Sequence, residues 1–332
     1  MLGNGRKPED FEETNMKRIE LENRNEFFRG CVAPGVRMNE ALLELYGEPE
    51  KRLLRARCAT GVRLALLTDA VEAEFSFRFG GAARQVFTTD LQVNGILFAT
   101  VTGPGPHRIP LPAGEKELVL HFPHLVEAEE FSFAVDDAAS VRPAPGPERK
   151  LLICGDSIMQ GMTCTTPLRA VGTILAARLG MEFHNTSVGG ATMKAAAVRG
   201  TCAIGGDAVV VGFGINDVFL GTPVETFREE CEGVCGALGE FPGKAFMVTP
   251  IPCLKKENEP VEELREIIRK SAGAFPRITV IEGPEIFPAE EEFYVDGTHP
   301  NDAGMAVYAA RLAKIMGRTS ASTLRGNCRS AL

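Results

Sequence analysis

The chain has 332 residues, enough for about two domains with real cores at roughly 100–200 residues each. Its 44% hydrophobic and 24% charged composition is that of a globular protein and argues against a disordered or fibrous one. The net charge of −8 argues against a nucleic-acid partner, which needs a basic excess, and the chain contains no run of about 18 apolar residues that could span a membrane.

The opening Met1–Asp10 lacks the apolar stretch of a signal peptide. The nine cysteines, scattered from Cys31 to Cys328, do not form a small-domain disulfide framework, so a reducing cytoplasm is the expected location. How the charged first 57 residues are placed stays open. From Cys58 to Asp136 short apolar runs alternate with Gly and Pro. Val62–Leu66 and Glu74–Phe79 alternate with period two, as half-buried strands do. Asn94-Gly95 between two apolar stretches is a hairpin signal, and Leu118–Phe122 and Phe131–Val135 continue the pattern. Residues 1–140 are therefore expected to form an antiparallel β-sandwich domain, jelly-roll-like in character. Three prolines within Pro143–Pro147 mark 141–149 as a linker.

From Lys150 the chain alternates strand and helix. Leu151–Cys154, Ala208–Val211, Ala245–Val248 and Ile278–Ile281 are continuous apolar runs, as strands buried on both faces require, with Glu182–Asn185 a weaker fifth. Helical stretches fall at about 167–179, 224–238, 261–274 and 302–316. The pattern predicts an α/β domain over 150–317, a parallel sheet covered on both sides, and a tail over 318–332. Chemistry belongs in the loops after the strands.

Three of these loops, and the stretch just before the last helix, carry a reactive residue type. Gly155-Asp156-Ser157 presents a hydroxyl at a strand-to-loop turn, although the tripeptide alone is an ordinary turn. The Gly189-Gly190 pair allows close backbone approach to a ligand oxygen. Gly214-Ile215-Asn216-Asp217 could aim the Asn216 amide at a developing oxyanion. A dinucleotide loop is rejected there, because its third glycine is missing and Asp217 would oppose a pyrophosphate. Asp296 precedes His299 by three residues, a spacing that lets a carboxylate hold an imidazole, and Asn301 suits the N-cap of the last helix. The four loops together point to one cleft.

In order and spacing these residues resemble the SGNH family, or GDSL-type hydrolases. Gly155-Asp156-Ser157, Gly190, Gly214–Asp217 and Asp296–His299 match its four blocks over about 150–316. The resemblance implies a flavodoxin-like α/β/α sandwich with five parallel strands. It implies a catalytic triad of Ser157, His299 and Asp296, and an oxyanion hole from the Ser157 and Gly190 amides with the Asn216 side chain. The preceding sandwich resembles, more faintly, that of two-domain bacterial SGNH carbohydrate esterases.

The function expected is therefore a serine carboxylic-ester hydrolase acting on a small-molecule ester, an acylated sugar among the choices. Neither cofactor nor metal is called for, and self-association into a homo-oligomer is left open. An acyltransferase using the same acyl-enzyme is the alternative, and a non-catalytic carbohydrate-binding protein the second. Cys231 and Cys235 lack the further ligands of a zinc set and read as core thiols, as do Cys154 and Cys164. Glu290–Glu292 reads as a solvated patch. His107, His121 and His124 fall in the sandwich, whereas His184 is either a core residue or a border of the cleft. The helix after Gly190 and the Ile251–Cys253 loop are expected to shape the pocket.

Overall fold

Runs of aliphatic residues with no polar face must be covered on both sides, and this is how the C-terminal half is built. In the computed structural model, which describes residues 15–327, Leu151 through Cys154 and Val209 through Val211 are fully buried. They form the centre of a five-stranded parallel sheet of Glu182–Asn185, Lys150–Gly155, Ala208–Gly212, Lys244–Val248 and Ile278–Ile281, in that spatial order. In chain order this is 2-1-3-4-5, the flavodoxin-like arrangement. Helices Ala195–Cys202, Val224–Glu240 and Asn258–Gly273 pack on one face around Val209 and Val211. Val171–Leu179 and Asp302–Asn327 cover the other around Val210 and Phe246. Burying each such aliphatic or aromatic side chain contributes about 1.5–3 kcal/mol.

The N-terminal half is an antiparallel sandwich. One sheet orders Met16–Arg18, Val126–Asp136, Glu72–Ala82 and His107–Pro110. The other orders Val141–Pro143, Arg63–Thr68, Lys116–His121, Thr88–Val93 and Ile96–Thr102, with Phe28–Arg29 also paired to Arg63–Thr68. Leu64, Leu66, Phe75, Phe77, Leu120, Phe122 and Phe133 fill the space between. Asn94 and Gly95 both have positive φ, 50° and 78°, as a two-residue hairpin between twisted strands needs.

Three stretches differ from the expectation. The first 57 residues are not a wrap around the sandwich alone: Met38, Leu42, Tyr46 and Ala56 insert into the core on one face of the parallel sheet. The 141–149 segment opens as an edge strand, Val141–Pro143 pairing with Leu66–Thr68. A proline is tolerated at an edge, where its missing N–H interrupts no ladder. The last helix runs to Asn327, past the expected start of the tail at 318, because Gly317 costs it only about 1 kcal/mol and no proline follows. Met1–Asp10, Cys328 and the rest of the tail's end lie outside the described residues. Among the described residues every cysteine is free. None of their helices is long and apolar enough to cross a membrane, and none of their side-chain groups is arranged to hold a metal ion.

Candidate active site

The site lies at the carboxyl ends of the parallel strands. After Lys150–Gly155, Asp156 caps the short helix Ser157–Gln160, its Oδ1 accepting from the Ile158 N–H at 2.9 Å. The cap aims the Ser157 side chain into the cleft. Gln160, one turn on, fixes the next loop: its Oε1 accepts from the Gly189 N–H at 2.7 Å, and its Nε2 donates to the Arg55 carbonyl at 2.8 Å. Asn185 holds the same loop through a bond from the Ser187 N–H to its Oδ1 and one from its Nδ2 to the Met159 carbonyl.

Gly190 has φ of +79°, the left-handed region that disfavours side chains, and a Cβ there would lie 2.7 Å from Arg55 Nη1. Among the described residues, neither the Gly190 nor the Ser157 amide has an acceptor. Asn216, in the helix Ile215–Leu220 after the third strand, donates one N–H to the Ala191 carbonyl at 2.9 Å and borders the cleft. Its neighbour Asp217 turns inward and accepts from the Met193 N–H at 3.0 Å. Burial raises the Asp217 carboxyl above its ordinary value.

The Asp296–His299 loop brings in the last two groups. Asp296 Oδ1 accepts the backbone N–H of Thr298 at 3.0 Å and of His299 at 2.8 Å, so the loop folds back on its own carboxylate. His299 Nδ1 lies 3.0 and 3.2 Å from the two Asp296 oxygens, and its Nε2 lies 2.9 Å from Ser157 Oγ. Burial alone would raise the Asp296 carboxyl. The hydrogen bonds from the His299 backbone and ring and from Thr298 outweigh it and hold the group at about 2. Asp296 is thus a carboxylate at any neutral pH. A ring that donates from Nδ1 to it keeps a free lone pair on Nε2 for the serine proton.

All five residues read from the sequence, Ser157, Gly190, Asn216, Asp296 and His299, therefore come together, four of them lining one open cleft of about 270 Å³. His184 is not among them. It is buried and donates to the Arg37 carbonyl at 2.7 Å, and burial lowers its pKa to about 4. The Ile251–Cys253 loop and the Ala195–Cys202 helix do not border the cleft either; the first braces the histidine loop from behind, Tyr294 donating to the Pro252 carbonyl at 2.7 Å. Glu290–Glu292 are exposed. Sequence reasoning missed the other wall: Lys51, Arg52 and Arg55 from the helix Glu50–Arg57, and Arg84 from the turn after Glu72–Ala82. The available signal was three cations on one short helix, with Arg55 four residues after Lys51 and three after Arg52, spacings that make neighbours on a helix surface.

Residues 153–307 match the GDSL-like lipase/acylhydrolase family. No curated protein sequence matches the chain. Among solved structures it is similar to the salicylyl-acyltransferase SsfX3 from a tetracycline biosynthetic pathway, at 19% identity and TM-score 0.73 over 88% of this chain and 94% of that one. It is also similar to a putative GDSL-like lipase from Bacteroides ovatus, at 18% identity and TM-score 0.72 over 92% and 98%. A third is a carbohydrate esterase family 2 enzyme with its carbohydrate-binding domain from Corynascus thermopiles (Myceliophthora fergusii), at 15% identity and TM-score 0.60 over 92% and 99%. At these identities the likeness is one of fold, and it spans sandwich and parallel sheet together.

Proposed function

Since residues 153–307 form a domain of the GDSL-like lipase/acylhydrolase family, we propose that the protein is a serine carboxylic-ester hydrolase acting through an acyl-enzyme on Ser157. The observation that carries the reading is the continuous chain from Ser157 Oγ through His299 to the Asp296 carboxylate, opening on a cleft. Ser157 Oγ attacks the ester carbonyl carbon as His299 Nε2 takes its proton, and Asp296 stabilises the imidazolium. The tetrahedral oxyanion accepts from the Ser157 and Gly190 amides and from the second N–H of Asn216. Collapse breaks the carbon–oxygen bond to the alcohol, which leaves with the proton from Nε2. Water then attacks the acyl carbon, gives a proton to Nε2, and Ser157 departs with its proton restored.

The alcohol is proposed to be a small polyol such as a sugar, the class named for the carbohydrate esterase whose fold this chain shares. The test is hydrolysis of p-nitrophenyl esters from acetate to octanoate by wild type and Ser157→Ala. Activity lost in the variant, with fluorophosphonate labelling of wild-type Ser157, is the expected result. No turnover and no labelling would instead mean a binding protein. The acyltransferase reading is separated by adding excess acceptor alcohol, which yields a new ester only if an alcohol can replace water.

A further inference from the structure

Part of the lining of the cleft is cationic. Lys51, Arg52, Arg55 and Arg84 line it, and among the described residues no Asp or Glu does. None of the four lies within 4.0 Å of a described carboxylate. Some arginines elsewhere do have acidic partners: Arg78 meets Glu129 and Glu130, and Arg269 meets Glu262, Glu266 and Glu282. Four cations gathered on one cleft with no carboxylate in its lining are a local concentration of positive charge in a chain of net charge −8.

Its geometry is costly unless something offsets it. Lys51 and Arg55 are like charges four apart on a helix, an arrangement that destabilises the helix. Arg55 is half-buried; burial, with Arg84 and Arg52 nearby, pushes its guanidinium pKa down. Arg55 is also locked in place, its Nη1 donating to the Gly189 carbonyl at 2.8 Å beside Gly190. The cleft also has apolar lining from Met162, Phe219 and Leu220. A neutral ester would leave the cations unmatched, while an oxyanion accepts from several guanidinium N–H groups at once and relieves their repulsion.

We propose that the ester taken by this cleft carries a second, anionic group, a carboxylate or a phosphate, gripped by Lys51, Arg52, Arg55 and Arg84 while its carbonyl lies at Ser157. The inference rests on the esterase reading and narrows its substrate class. The anion can enter on the acyl side or on the alcohol side of the ester, and matched pairs distinguish the two. p-Nitrophenyl hemisuccinate against p-nitrophenyl butyrate tests the acyl side. The acetyl esters of glycerol 3-phosphate and of glycerol, followed by acetate release, test the alcohol side.

In one of these pairs the anionic member should have the higher kcat/KM by about tenfold or more, a preference that shrinks with added salt. The preference should collapse toward unity in Arg52→Gln/Arg84→Gln, with the single Arg84→Gln, an exposed position, as the variant safest for folding. Equal kcat/KM within both pairs, or a preference untouched by these variants, overturns the proposal. If no ester is turned over, the esterase reading fails, and the anion site is read separately from the thermal unfolding midpoint with glycerol 3-phosphate or succinate. A rise in midpoint lost in Arg84→Gln upholds the cationic site, and no rise overturns it.

Discussion

The Asn216 side chain bonds the Ala191 carbonyl with one N–H and leaves the other for the cleft, so its orientation is set before any substrate arrives. A donor held in this way acts where charge develops. Asn216→Ala should lower kcat by about 10²–10³-fold, equivalent to about 2.7–4 kcal/mol, with little change in KM. Steady-state kinetics on a p-nitrophenyl ester checks this; a raised KM at constant kcat would make Asn216 a substrate-binding residue instead. Asp156 makes a second prediction. Burial pushes its carboxyl from an ordinary 3.8 up to about 7, and Asp217 nearby adds to the rise. Between those two values the folded chain keeps a proton that the unfolded chain releases, so stability falls as pH rises from about 4 to about 7. An asparagine keeps the capping oxygen and has no charge to bury. The gain in unfolding midpoint from Asp156→Asn should therefore be small near pH 4, grow towards pH 7 and level off above it. A pH-independent gain would show that Asp156 ionises as freely in the folded protein as in water.

At the scale of elements, the helix Glu50–Arg57 owes its place to one buried arginine. Arg37 is 2% exposed and donates to four carbonyls, those of Asn185 and Ser187 beside the catalytic loop and those of Arg55 and Ala56 in the helix. It thereby ties the cationic wall to the turn that presents Gly190. Arg37→Met fills similar space but leaves four buried acceptors without their donor. A loss of about 3 kcal/mol or more in denaturant unfolding is expected, since bonds from a charged group are worth about 1.5–3 kcal/mol each. Turnover should fall with it, because the helix then loosens from the cleft. An unchanged midpoint would mean that water replaces the guanidinium. The sequence could not announce this contact, because Arg37 and Ser187 are far apart in the chain. Four strands of the parallel sheet were readable as unbroken apolar runs, and three of the four candidate-site blocks because they follow a strand closely, while Asp296–His299 lies before the last helix. The short edge strands, Met16–Arg18 and Phe28–Arg29, are too brief to show a period and are defined by the partners they pair with.

The whole molecule is threaded so that its two halves share their cores. The chain starts on the sandwich, sends Met38, Leu42, Tyr46 and Ala56 into the core beside the parallel sheet, returns to build the sandwich, and enters the sheet at Lys150. Polar bonds then cross between the halves. The buried Arg63 guanidinium bonds Glu182 and the Phe183 carbonyl and lies 4.1 Å from the centroid of the Phe183 ring. Thr60 donates to the His124 carbonyl at 2.6 Å and accepts from Gln160, and His124 in turn donates to the Gly161 carbonyl at 3.1 Å. Unfolding the sandwich would withdraw the 38–56 segment from the other core and strip Gln160 and Glu182 of their partners. Neither half can then melt without exposing the other, although chains with two cores commonly melt in steps. Calorimetry should show one transition whose van't Hoff and calorimetric enthalpies agree, with esterase activity lost within it. Two resolved transitions, the first leaving activity intact, would mean that the sandwich and the 38–56 segment come away without disturbing the cleft. The cationic wall, carried by that segment and by the Arg84 turn of the sandwich, would then be dispensable for turnover of neutral esters.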